Sequence, residues 1–243
     1  MINKNNFSEI DNKKRGYFIS KIDIEDLAIL KNLIEQHFKK IINENYTQKD
    51  ISFDNYLIKV DQAKHGSIFT KSNRVLPKNL FNIAYKELKI FKELKNIFSD
   101  FEITDEEKLG YGNFYWRLVR PYPFKDVGPM HKDKWFWDLG SGKIDEKKLK
   151  RYKLWISIVG DKSLGFKFVD GSPDMDLKYS SEFRDGIYKP NFDEKIISNK
   201  ITSLKGSEGT FILFHDELLH GGEVLTNNAL RVSIECTFTT SKF

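Results

Sequence analysis

The chain is poor in several things whose absence narrows its function. It has one cysteine, Cys236, set in the apolar alternation "RVSIECTFTT". One thiol permits no intrachain disulfide and no cysteine-based zinc site, so Cys236 reads as a buried, inert side chain. No run of apolar residues approaches the length of a membrane span, and the opening "MINKNNFSEIDNKKRG" lacks the apolar centre of a secretory signal. The expectation is a cytoplasmic protein with no membrane partner. The charge excess is small, +5 with 40 basic and 35 acidic residues, and lysines and acids are interspersed rather than blocked. That is a solvated surface, and no nucleic-acid partner is expected. Internal repeats and low-complexity tracts are absent.

What is present suits a packed core. The 243 residues are 40% hydrophobic and 14% aromatic, enough for one domain of the barrel or sandwich kind. Residues 20–43 carry Ile24, Leu27, Leu30, Leu33, Ile34, Phe38 and Ile41 at helical spacing, with acids early and lysines late. His37, beside Phe38, reads as a surface or packing histidine. A second helix is expected from Pro77 to Phe98, burying Leu80, Ile83, Leu88, Phe91, Leu94 and Phe98. His65, in "DQAKHGSIF", reads as a loop histidine without a partner.

From about residue 110 the pattern changes to short alternating runs: "NFYWRLVRP", "MHKDKWFWD", "KLWISIVG", "GFKFVDGSP", "GTFILFHD" and "LRVSIECTF". Evenly spaced strands with little helix between them predict a mainly β fold, a double-stranded β-helix (jelly roll, cupin-like). The expected layout is one domain over 1–243. A helical brace, 1–107, packs on a jelly-roll core, 108–243, whose polar segments 139–151 and 172–208 read as inserted loops.

The run "HKDKWFWD", residues 131–138, is the one that asks for a chemical explanation. Read as a strand, it places His131, Asp133, Trp135 and Trp137 on one face and the lysines on the other. Five histidines are present, and two of them open a His-x-acid pair, His131-x-Asp133 and His215-x-Glu217. Spacing alone does not choose between them; the strand-like context favours the first. An imidazole and a carboxylate side by side, joined by His220 from another strand, make the 2-His-1-carboxylate face of non-haem iron sites. Gly221 and Gly222 after His220 allow close approach or a tight turn. Eleven residues beyond His220 stands Arg231, with Ser233 on the same strand face, a fork and a hydroxyl suited to a carboxylate.

The order His131-x-Asp133, His220, Arg231-x-Ser233 resembles the Fe(II)- and 2-oxoglutarate-dependent dioxygenases, in particular the phytanoyl-CoA dioxygenase-like family. "LWISIVGDKSLGFKFVDGSP" and "GTFILFHDELLHGG" are similar to that family's segments before the distal histidine, and the resemblance spans roughly residues 110–240. It departs at Asp170-Gly171-Ser172-Pro173, where the family's "PGSH" ends in histidine, and at Glu208-Gly209-Thr210, where the family has "GD". The resemblance implies His131, Asp133 and His220 as catalytic iron ligands, with Arg231 and Ser233 on the co-substrate 2-oxoglutarate. It also implies Trp155 beside that co-substrate, dioxygen as oxidant, and succinate and CO2 as products. His215 becomes a packing residue near the site. Retention of Asp133 favours hydroxylation over halogenation. Tyr115, Arg117, Trp135 and Trp137 are candidates for the substrate mouth, as is Arg120. The expected substrate is a small polar metabolite, anionic or carbohydrate-like, a sugar or amino-acid derivative. Two other readings use the same fold: a cupin-like metal-dependent isomerase or lyase, and a metal-free carbohydrate-binding jelly roll using the tryptophans.

Overall fold

The computed structural model describes residues 2–11, 15–48, 50–141, 149–184, 186–226 and 229–241. The chain opens with α1 (Lys4–Asp11), β1 (Tyr17–Lys21) and α2 (Ile24–Asn45). Single-turn helices α3 (Tyr56–Lys59) and α4 (His65–Ile68) precede α5 (Lys78–Glu87) and α6 (Lys89–Ile97). Then come β2 (Glu102–Ile103), β3 (Tyr115–Val119), a helical turn α7 (Asp133–Phe136), β4 (Leu149–Val159) and β5 (Asp161–Val169). β6 (Ser180–Arg184), β7 (Ile187–Asn191), β8 (Ile201–Ser207), β9 (Thr210–His215), β10 (His220–Gly222) and β11 (Arg231–Ser241) complete the order. Among the described residues no helix is long and apolar enough to cross a membrane.

Two antiparallel sheets form the core. The larger runs β1-β9-β4-β11-β2, with β3 also paired to β11; the smaller runs β10-β5-β8. This is the jelly roll expected from the strand pattern.

Two-residue alternation divides the large sheet into two chemistries. On one face Tyr152, Leu154, Ile156 and Ile158 of β4, and Val232, Ile234, Cys236 and Phe238 of β11, pack with the helices. The apolar stripe of α2, Leu27, Leu30, Ile34, Phe38 and Ile41, covers them. The opposite face of the same strands carries Lys153, Trp155 and Ser157, and Arg231, Ser233, Glu235 and Thr237. It looks into the space between the sheets. There Trp155, Ile212 and Phe214 meet Leu164, Phe166 and Phe168 of β5 in a separate apolar cluster.

Four expectations are corrected. Residues 17–21 form an edge strand on β9, so the N-terminal part supplies sheet as well as helix. The helix expected over 77–98 is two helices that meet at Leu88, whose ψ of 127° is extended. The break follows from Asp26 of α2, whose buried carboxylate accepts from Lys89 N (3.0 Å) and Ile90 N (3.1 Å). Those amides are thereby withdrawn from a continuous helix. Ile83 faces outward, 44% exposed. Residues 172–208 are not a loop: they hold the β6–β7 hairpin, a 3-10 turn at Glu194–Lys200, and β8 paired to β5. β8 leaves little trace in the sequence because Leu204 alone is buried in a polar edge strand. Within the other expected loop, 139–151, residues 149–151 already belong to β4, and residues 142–148 lie outside the described residues.

Candidate metal centre

The run 131–138 is not a strand. His131 makes one antiparallel bridge to His220, with its N donating to His220 O at 2.8 Å and the reverse bond at 3.0 Å. The backbone then turns into α7 at Asp133 and continues through a π-type turn at Trp137–Ser141. A period of two over so few residues does not separate strand from turn. His131, Asp133, Trp135 and Trp137 therefore share no common face. Trp135 packs on Tyr179 (4.6 Å) and Phe192 (5.5 Å), and Trp137 lies under Arg151 at 4.5 Å.

His131 and Asp133 converge all the same. One bridge fixes the two histidines opposite each other, and the helical turn swings Asp133 between them. His131 Nε2 lies 3.4 Å from Asp133 Oδ1, and His220 Nε2 lies 3.9 Å from Asp133 Oδ2. One ligand atom from each of the three falls within 4.8 Å of the others; no second such group occurs among the described residues. Each imidazole is oriented by its far nitrogen: Nδ1 of His131 faces Pro129 O at 3.0 Å, and Nδ1 of His220 faces Leu218 O at 2.9 Å. A carbonyl can only accept, so each Nδ1 carries the proton and each Nε2 presents a lone pair inward. Burial holds His220 down to about 4, so its ring is neutral at neutral pH. Burial pushes the Asp133 carboxyl up, but Lys153, His220 and His131 outweigh it and hold the group well below the usual carboxylate range. Its buried Oδ2 has no hydrogen-bond partner. Two imidazoles that turn Nε2 inward, and a carboxylate whose buried Oδ2 makes no hydrogen bond, fit a divalent transition metal.

Gly221 and Gly222 serve close approach, not a tight turn. They pair with Lys167 and Phe166 in β10, and a Cβ on Gly222 would sit 2.6 Å from Val127.

Arg231 is fully inside the barrel. Its Nη1 donates to Leu164 O (3.3 Å) and to Gly165 O, both on β5, so the side chain bridges the two sheets. Gly165 makes room: its φ is +65°, and a Cβ there would lie 2.8 Å from Nη1. Among the described residues no carboxylate pairs with this guanidinium, and its buried Nε has no acceptor. Burial, then the nearby Arg117, pulls it down to about 10, still charged at neutral pH. A buried, unpaired guanidinium is costly unless an anion answers it. Ser233 is buried on the same face and pairs across the ladder with Ser157, whose buried hydroxyl also lacks a partner. These groups fit a carboxylate. Trp155, on the same face, packs on Phe166 at 5.1 Å.

The remaining candidates separate. Arg117, on β3, holds Glu235 Oε1 (Nη2 at 3.2 Å), and its side chain is 42% exposed. Tyr115 donates to Glu107 at 2.5 Å. Arg120 is bound on both sides of its fork to Asp126, at 2.6 and 2.7 Å. His215 follows Phe211 and Leu213 on the helix-facing side of β9, against Tyr152, away from the three ligands. His37 is a packing residue: Trp116 Nε1 donates to its Nδ1 at 2.9 Å. His65 is not a partnerless loop residue. It is buried, meets Tyr56 Oη at 2.8 Å, and lies 3.6 Å from Asp126. Overlooked in the sequence were Lys153, Glu235, Ser157 and Gly165. The first three share the period-two face that singles out Ser233; Gly165 shows itself only when the sheets are stacked.

No protein-family model matches the chain, and no curated protein matches it. Solved structures do. EctD from S. alaskensis, with bound Fe, superposes with a TM-score of 0.57 at 10% identity, over 98% of this chain and 77% of that one. EvdO2 from Micromonospora carbonacea var. aurantiaca, complexed with 2-oxoglutarate, gives 0.59 at 13% identity, over 99% and 91%. SnoK from nogalamycin biosynthesis, a non-heme alpha ketoglutarate dependent carbocyclase, gives 0.58 at 12% identity, over 98% and 84%. The fold is shared with proteins that hold iron and 2-oxoglutarate.

Proposed function

We propose that the protein is an Fe(II)- and 2-oxoglutarate-dependent oxygenase that hydroxylates a small polar metabolite, a sugar or amino-acid derivative. The observation that carries this is one interior holding both halves of the cofactor requirement. His131, Asp133 and His220 converge on one face, and the unpaired guanidinium of Arg231 stands in the same barrel. His131, Asp133 and His220 would hold the iron, and Arg231 with Ser233 and Ser157 the far carboxylate of 2-oxoglutarate. The loaded site would supply oxidation of a C–H bond by dioxygen, coupled to release of succinate and CO2. The protein's own part is positional. The His131–His220 bridge fixes the ligand set, the backbone carbonyls of Pro129 and Leu218 fix the ring tautomers, and Phe166 and Phe214, at 5.5 and 4.6 Å from the His220 ring, exclude water behind it. All four tryptophans are buried, so none offers the open stacking platform that a metal-free sugar-binding reading needs.

The test is calorimetric titration of Fe(II) and then 2-oxoglutarate under argon, followed by succinate measurement in air. Both bind and succinate forms. Asp133→Ala loses Fe(II) binding by at least tenfold. Wild-type protein that binds no 2-oxoglutarate, or an Asp133→Ala variant with unchanged metal affinity, overturns the assignment.

A further inference from the structure

A single bridge pairs His131 with His220, and both of its hydrogen bonds are spent on the two histidines themselves. The residues just before them, Met130 and Leu219, therefore turn their amides away from the pair. Met130 is 1% exposed and Leu219 is wholly buried, so each amide needs an acceptor other than water. Both find a side chain, and both side chains come from segment 172–208. Met130 N donates to Glu194 Oε1 at 2.8 Å, and Leu219 N donates to Ser172 Oγ at 2.8 Å.

Both acceptors are themselves held in place. Ser172 is wholly buried in the 3-10 turn Ser172–Asp174 that follows β5. Glu194 gives its other oxygen to Lys167 Nζ at 2.7 Å. Lys167 alternates with Phe166 and Phe168, so it lies on the outer face of β5, in register with Gly221 of β10. A Cβ on Gly221 would lie 3.1 Å from Met130 Cα, so the His131 segment rests directly on that glycine. Glu194 thus ties the residue before His131 to the strand partner of the residue after His220. The side chains of Met130 and Leu219 pack with Phe192 and Ile197 of the same segment in one apolar cluster. On the far side of His131, Lys132 Nζ donates to Met175 O at 3.1 Å, again in that segment.

We propose that Glu194 and Ser172 are positioning residues of the metal centre, each holding the amide next to one histidine and so setting how the two imidazoles meet Asp133. This rests on the oxygenase reading above and gives segment 172–208 a part in it. Neither side chain supplies a ligand; both act through the backbone. Three donors hold one ion well only at matched distances, so a shift of either histidine weakens the site with every donor still present. If the two bonds served the fold alone, their loss would lower the melting temperature and leave metal affinity below it unchanged.

The experiment titrates Fe(II) into the full chain under argon, well below the melting temperature of each variant. It also records the visible spectrum of the protein loaded with Co(II) instead. Glu194→Ala and Ser172→Ala each lower Fe(II) affinity by roughly tenfold or more, the scale on which groups that orient metal ligands act. Their Co(II) bands shift, because the band reads the geometry of the donors. Glu194→Gln keeps most of the affinity, since its amide oxygen still accepts from Met130 N. Ser198→Ala is the control: it removes a hydrogen bond of the same segment, Oγ to Lys195 O at 3.2 Å, and binds as wild type. The Glu194 side chain is 32% exposed, so its variants decide the matter should Ser172→Ala not fold. The positioning proposal fails alone if either folded alanine variant keeps wild-type affinity or an unmoved Co(II) band. It also fails alone if Glu194→Gln falls as far as Glu194→Ala, or if Ser198→Ala falls with them. If the wild type binds no Fe(II), the oxygenase reading fails and carries this one with it.

Discussion

Gly165→Ala isolates the seat of Arg231 without touching Arg231 itself. The new Cβ would sit 2.8 Å from Nη1, 3.0 Å from Cδ and 3.1 Å from Cζ. The guanidinium is held at that spot by two carbonyls of the same strand, Leu164 O and Gly165 O, so it cannot recede without losing them. The backbone adds strain, because φ of +65° at this position costs a non-glycine residue about 1–2 kcal/mol. Weakening the charged hydrogen bonds costs about 1.5–3 kcal/mol more. Together these give about 2.5–5 kcal/mol, or a melting temperature lowered by roughly 5–15 °C for a chain of this size. Affinity for 2-oxoglutarate, measured by calorimetry well below the melting transition, should fall at least tenfold, because a displaced fork no longer meets a carboxylate on two points. Gly66→Ala is the control: nothing lies within 4 Å of its Cβ and its backbone is ordinary, so stability and affinity should stay at wild-type values. A Gly165→Ala protein with wild-type 2-oxoglutarate affinity would refute the assignment of Arg231 to the co-substrate.

Two further predictions concern the scaffold. Asp26→Ala strands the amides of Lys89 and Ile90 and should cost about 1–3 kcal/mol in urea unfolding. Asp26→Asn keeps an acceptor and should cost less; equal losses would show that the carboxylate is not the cap of α6. Burial depresses His37 and His65 to about 4, so the unfolded chain takes up their protons first as pH falls. Stability should be intact above about pH 6.5 and decline toward pH 4, by at most about 1.4 kcal/mol per pH unit for each histidine. Histidine NMR checks the cause directly: both rings should hold their neutral shifts down to pH 5.5, and a midpoint near 6.5 for either would contradict its buried state.

The jelly roll was readable because β4, β9 and β11 are strands with one apolar face toward the helices, and two-residue alternation records that face. The donor trio was readable for a different reason: residue types with few structural uses, two histidines and an acid, lie in segments that a sheet brings together. The local geometry was not readable. His131 and Asp133 were expected to converge because strand neighbours at i and i+2 point the same way. They converge instead through a single bridge followed by a helical turn, which throws Trp135 toward Tyr179 and Phe192. Pattern at one end of a short run cannot report a turn whose cause, the amide of Lys134 bonded to Asp216 O, lies some eighty residues on. The break at Leu88 and the burial of His65 have the same origin, partners far along the chain. Lys153 and Glu235 show a subtler limit. Each looks like an ordinary solvated charge in sequence, and alternation alone puts both on the inner face. Only the stacking of β5 and β10 over that face turns two common residues into buried charges, Lys153 set 3.3 Å from Asp133 and Glu235 held by Arg117.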